Sequence, residues 1–189
     1  MNAVCVFCGS SRGHDPTYVA NAEALGRRLA GEGTTLVYGG ASVGTMGAIA
    51  RAALEAGGRV VGVIPENLDR VELAADGLTE LHRVGSMHER KAMMADLADG
   101  FVALPGGLGT LEETAEIATW SQLGLHAKPL GLLNTAGFYD GLLAFLDHAT
   151  TEGFVRPEHR TLLLADDDPA ALLDRMRAWR PASSPKWVD

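Results

Sequence analysis

Residues 104–113 read L-P-G-G-L-G-T-L-E-E, with glycines crowded ahead of two acids. Glycine allows close backbone approach and positive φ, so successive N–H groups in such a loop can converge on an anion. A helix that opens directly after the loop adds the positive end of its dipole. Two other segments have the same character: C-G-S-S at residues 8–11 and Y-G-G-A-S-V-G-T-M-G at residues 38–47. Gly9, Ser10, Gly40 and Gly44 are therefore candidate phosphate or loop contacts. Three such loops point together to a phosphate-bearing ligand. The spacing G-x-x-x-x-G-K-S/T is absent, which excludes a P-loop NTPase. Nor does any of the three fit G-x-G-x-x-G, which weakens a dinucleotide reading.

Two charges then stand out on helical wheels. At about 100° per residue, Glu113 shares a stripe with Ile117, Trp120 and Gly124, whereas Glu112 and Glu116 point elsewhere. In the helix over 87–98, Arg90 falls between Met94 and Leu97 on the stripe that also holds Met87, and Lys91 lies on its shoulder. Each helix thus directs a charge of opposite sign toward the interior or a pocket. An ion pair that only fixes packing is one outcome, although desolvation offsets much of such a pair's attraction. The other is a carboxylate and a guanidinium beside a glycine-lined anion site. There the acid stabilises an oxocarbenium-like centre or activates water, and Arg binds phosphate. That chemistry is hydrolysis at the sugar of a phosphorylated compound.

The elements that must hold these residues alternate along the chain. Strand-like apolar runs fall at 4–8, 35–38, 60–64, 101–104, 129–133 and 162–164, with a weaker seventh at 81–84. Helical patterns occupy 16–31, 45–56, 87–98, 110–123, 138–152 and 169–179. This alternation predicts one α/β domain over 1–180, a Rossmann-like parallel sheet of about seven strands with helices on both faces. In such sheets ligands bind beyond the carboxyl ends of the strands. Residues 181–189 read as a frayed tail, and the irregular stretch 65–86 as a connection long enough to be functional.

Composition narrows the classes further. A net charge of −8 argues against nucleic-acid or anionic-membrane partners. No apolar run of about 18 residues is present and the start lacks a basic leader, so a cytoplasmic location is expected. Cys5 and Cys8 have C-x-x-C spacing, but on a strand residues three apart face opposite ways, and no second pair completes a metal site. They are read as packed thiols. No metal and no cofactor are assigned.

P-G-G-L-G-T-L-E-E with M-H-E-R-K at 87–91 resembles the LOG family, the cytokinin riboside 5′-monophosphate phosphoribohydrolases, whose members often carry the label "lysine decarboxylase-like". V-F-C-G-S-S, Y-G-G-x-x-x-G-x-M-G and I-A-T-W-S-Q-L-G extend the resemblance over roughly residues 3–180. It implies a Rossmann-like fold, a homodimer, and cleavage of the N-glycosidic bond of N6-substituted AMP to free base and ribose 5-phosphate. The family's catalytic residues fall on Arg90 and Glu113. Its substrate contacts fall on Lys91, Gly106, Gly107, Leu108, Gly109, Thr110, Leu111, Glu112 and Thr119, and by an ungapped count on Glu72. Met87, Met94 and Leu125 are candidates for the pocket reading the N6 group.

Three rivals remain. Plain AMP or another nucleoside monophosphate is a different substrate for the same chemistry. A nucleotide carrier would use the loops without needing a carboxylate near phosphate. Lysine decarboxylation requires an electron sink such as pyridoxal phosphate on a lysine. Only Lys91, Lys128 and Lys186 exist, and none is well placed for it.

Overall fold

The computed structural model describes residues 1–66 and 74–181. Seven strands form one parallel sheet: β1 (Ala3–Phe7), β2 (Thr35–Tyr38), β3 (Val60–Pro65), β4 (Glu80–Val84), β5 (Gly100–Ala103), β6 (Leu130–Leu133) and β7 (Leu163–Asp166). Their order is β4-β3-β2-β1-β5-β6-β7. The helices among the described residues are α1 (Pro16–Gly31), α2 (Gly44–Glu55), α3 (Met87–Leu97), α4 (Leu108–Gln122), α5 (Asp140–Thr151), α6 (Pro157–Arg160) and α7 (Pro169–Ala178). No helix among the described residues is long and apolar enough to cross a membrane.

Strand alternation sorts the core into two layers. Val4, Val6 and Cys8 pack with Leu25 and Leu29 of α1, Ile49 of α2 and Leu172 of α7. Cys5 and Phe7 pack on the other face with Met94 of α3 and Ile117 of α4. The two cysteines therefore lie on opposite sides of the sheet, both buried and both free. Strands buried on both faces explain the unbroken apolar runs of β3 and β6.

Local chemistry sets where the helices start. Asp15 and Asp168 accept from Thr17 N and Ala171 N at 2.9 and 2.7 Å, each followed by proline in the first turn. Ser86 accepts from Glu89 N at 3.2 Å, and Glu89 Oε2 accepts from Gly85 N at 2.8 Å. These bonds pin the start of α3, and with it the placement of Arg90 one turn in.

Several expectations are corrected. The helical pattern over 138–152 is met by α5, which starts two residues later at Asp140; a 3₁₀ turn, Thr135–Gly137, precedes it, and Asn134 Oδ1 accepts from Tyr139 N at 2.7 Å in the connection. The short helix α6 was absent from the pattern, although Pro157 at its first position marks it. The last strand runs to Asp166 instead of stopping at residue 164, since an edge strand tolerates a polar end. Met87 and Leu97 are 38% and 40% exposed, so the buried stripe of α3 is Arg90, Lys91, Met94 and Ala95. That helix therefore buries two charges, not one.

Candidate active site

Strand order reverses at β1, whose neighbours are β2 and β5. In doubly wound sheets a crevice forms at such a point, because the connections on either side leave in opposite directions. The loops after β1 and β5 meet there, and a Cβ added to Gly9 would lie 3.5 Å from Gly106 Cα. Between these loops and the first turns of α3 and α4 is a cavity of about 300 Å³.

The N-terminus of α4 opens onto it. Gly107 caps the helix without a side-chain acceptor, so the first-turn N–H groups have no side chain to bind. A Cβ on Gly107 or Gly109 would meet nothing within 4 Å, which leaves bare backbone bordering open space. Thr110, 3% exposed, lies so close to Gly106 that a Cβ there would collide with its side chain.

The N-terminus of α2 is used differently. Met46 N and Thr45 N donate to Gly9 O and Ser11 O, both at 3.4 Å, and Thr45 Oγ1 lies 3.1 Å from both Gly9 N and Gly9 O. Protein carbonyls thus occupy the place an anion would take. Gly44, at φ 60°, permits this approach, since a side chain there would collide with Ser10. Gly40 faces Ile64 and Leu81, and its carbonyl accepts from Ala75 N at 2.9 Å. Gly44 therefore supports the first loop, Gly40 packs against β3 and β4, and neither lines the cavity.

Arg90 and Glu113 enter the cavity from different helices, at 6% and 8% exposure. Arg90 Nε donates to Val63 O and Nη2 to Gly39 O, both at 3.2 Å. The guanidinium lies so close over Gly39 that any Cβ there would collide with Nη2. Gly39 and Val63 were not singled out from sequence; only the G-G doublet after β2 hinted at the first. Both charges act on the buried Cys8 at the end of β1. Its thiol is pushed well above the ordinary range, first by burial and then by the Glu113 carboxylate, with Arg90 opposing. A neutral Cys8 is thus part of the cavity wall.

Lys91 is 9% exposed and its Nζ sits 2.5 Å from Glu112 Oε1 and 3.0 Å from Glu116 Oε2. Its pKa is raised, chiefly by the bond to Glu112. This ion pair spans α3 and α4. Leu111 and Thr119 line a separate apolar groove of about 310 Å³ on another side of α4, with Leu142 and Leu146 of α5. From Glu113 to Thr119 the helix advances about 9 Å and turns by about 120°. Gly106 borders a smaller compartment beside the cavity, and Glu72 lies outside the described residues. The fold therefore gathers Arg90, Glu113, Gly107, Leu108, Gly109, Thr110 and Glu112 with Gly9 and Ser10. Of the three residues considered for the N6 group, Met87 lines the cavity, Met94 is core and Leu125 is 68% exposed.

Comparison with known proteins agrees with this architecture. Residues 46–176 match the family described as "Possible lysine decarboxylase". The chain is 51% identical over 178 residues to the probable cytokinin riboside 5′-monophosphate phosphoribohydrolase LOGL9 of Oryza sativa subsp. japonica, covering 94% of this chain and 78% of that protein. It is 50% identical over 177 residues to the cytokinin riboside 5′-monophosphate phosphoribohydrolase of Rhodococcoides fascians, covering 93% and 89%. Among solved structures, the molybdenum cofactor binding protein of Rippkaea orientalis superposes with a TM-score of 0.70 at 24% identity, covering 93% and 95%, and so shares the fold. The chain belongs to the LOG family, within the group described as possible lysine decarboxylases.

Proposed function

We propose that this protein hydrolyses the N-glycosidic bond of N6-substituted adenosine 5′-monophosphates, releasing the free base and ribose 5-phosphate. The observation that carries this reading is one cavity holding a buried carboxylate, a buried guanidinium and the open N-terminus of a helix. The 5′-phosphate is assigned to the N–H groups of Gly107, Leu108, Gly109 and Thr110, where the dipole of α4 favours negative charge. Glu113 then faces the ribose, stabilises positive charge at C1′ as the bond to the base breaks, and orients the attacking water. Arginine holds its proton at neutral pH, its pKa lying above about 12. Arg90 therefore orients and stabilises electrostatically and does not act as a proton donor.

Decarboxylation of lysine fits the site poorly. Lys91 is held charged between two carboxylates, whereas a Schiff-base lysine must be poised to lose its proton. Lys128 Nζ donates to Ala95 O at 2.7 Å, away from the cavity.

We further propose that the protein is a homodimer acting in the cytoplasm. The two free thiols accord with a reducing compartment. Thr119 cannot reach the cavity of its own chain across the body of α4, so its contact with nucleotide belongs to the site of a second copy.

The test is incubation of the pure protein with isopentenyladenosine 5′-monophosphate and, separately, AMP, with products resolved by chromatography. Free base is expected, released faster from the N6-substituted nucleotide. Glu113→Gln should lower the rate by about 10³-fold while nucleotide binding persists. Wild-type-like turnover by that variant would reject the role of Glu113. Binding without base release by the native protein would make it a carrier.

A further inference from the structure

A second compartment, of about 230 Å³, adjoins the catalytic cavity, and Gly9, Ser10 and Gly107 border both. It lies toward α1, where Tyr18 and Phe138 meet edge to face at 5.8 Å. Among the described residues, Arg12 is the one charged side chain lining it. That side chain is exposed and forms no hydrogen bond or ion pair with any described residue. The nearest acid in sequence, Asp15, is committed to capping α1 through Thr17 N. Along the loop, Gly9 N donates to Thr45 Oγ1, but the N–H groups of Ser10, Ser11, Arg12 and Gly13 have no acceptor among the described residues.

The aromatic wall is not a free stacking platform. A Cβ on Gly13 would lie 2.6 Å from Tyr18 Cδ2, so that ring's face is taken by the loop it supports. What the compartment offers a ligand is a guanidinium fork and a run of backbone donors. This is the chemistry of phosphate recognition, here in a protein of net charge −8.

We propose that this compartment is a second anion subsite that takes the phosphoryl group beyond the 5′-phosphate of a nucleoside 5′-diphosphate. With the first phosphate at the N-terminus of α4, Gly107 stands between the two compartments, and a second phosphate linked to the first passes over it toward Arg12. Nucleoside 5′-diphosphates then bind more tightly than monophosphates and compete with them for the cleft. The proposal rests on the placement of the 5′-phosphate given above.

Calorimetric titration of ADP and AMP into the full-length Glu113→Gln protein tests it, since that variant does not consume the ligand. ADP is expected to bind about tenfold more tightly than AMP. Adding Arg12→Ala should bring the two affinities together, and Arg12→Lys should restore part of the difference. Arg12 is exposed in a loop, so thermal melts of these variants should match their parent. An ADP affinity no greater than that of AMP, or a ratio that Arg12→Ala leaves unchanged, overturns the subsite. If the native protein releases no base but the Arg12-dependent preference for ADP holds, the subsite stands and the hydrolase reading alone fails.

Discussion

Arg90 is constrained more tightly than its charge alone requires. Two of its nitrogens bind backbone carbonyls, one on β3 and one just after β2, and Nη2 lies where a side chain on Gly39 would be. Those bonds fix the direction in which the remaining guanidinium N–H groups point, and catalytic electrostatics depend on such preorganisation. Replacing Gly39 by alanine tests this without altering any charge. The new methyl group must displace the guanidinium, because a Cβ there would collide with Nη2. We expect Gly39→Ala to lower kcat by about 10²-fold, with the protein still folded by circular dichroism. An unchanged kcat would show that the position of Arg90 does not limit the reaction.

At the scale of elements, the separation of Arg90 from Glu113 depends on how α3 is held against α4, and Lys91 is the tie. Its neighbour in sequence is Arg90, and its two carboxylate partners flank Glu113 on the next helix. Lys91→Met should therefore reduce kcat on the order of 10-fold or more by loosening that geometry. It should also cost about 1–2 kcal/mol, since the carboxylates are partly solvated. The sign of the pH dependence follows from the raised pKa of Lys91. The native state holds this proton more tightly than the unfolded chain does. The contribution is thus fully present below the ordinary lysine value of about 10.4 and is lost as pH rises through the native value. Denaturant midpoints of wild type and variant should differ at pH 7 and draw together as pH rises above about 10.4. A constant difference would assign the effect to packing of the lysine stem.

The same helices show how far the sequence could be read. Strand and helix alternation was plain because strands buried on both faces leave unbroken apolar runs, and the order of elements followed from it. Glu113 was legible for a physical reason: a carboxylate on an otherwise apolar stripe is an anomaly that a helical wheel exposes. Lys91 was not legible as a tie, because its partners are recruited from another helix by tertiary packing and nothing in either segment signals the pairing. The role of the second glycine loop was also hidden. A helix N-terminus that binds an anion and one that binds protein carbonyls have the same local sequence. Only the approach of residues 9–11 distinguishes them.

On the scale of the whole molecule, α5 is anomalous. It carries Leu142, Leu143, Phe145 and Leu146, yet none of its residues is buried. Phe145 and Phe154 are 63% and 85% exposed, and the groove beside them contains Thr119 of α4. Exposed apolar surface of this extent on one face calls for a covering partner. A second copy is the occupant we propose, since it would also give Thr119 a nucleotide to touch. Phe145→Glu places a charge in that interface while leaving the fold of the single chain intact, since the side chain is already in solvent there. Light scattering should give twice 19.9 kDa for the native protein and 19.9 kDa for the variant. Base release by the variant should fall with the loss of dimer and recover partly at high protein concentration, because association then opposes the charge by mass action. A native protein of 19.9 kDa with full activity would show that one copy completes the site, and would leave the contact of Thr119 with nucleotide without a basis.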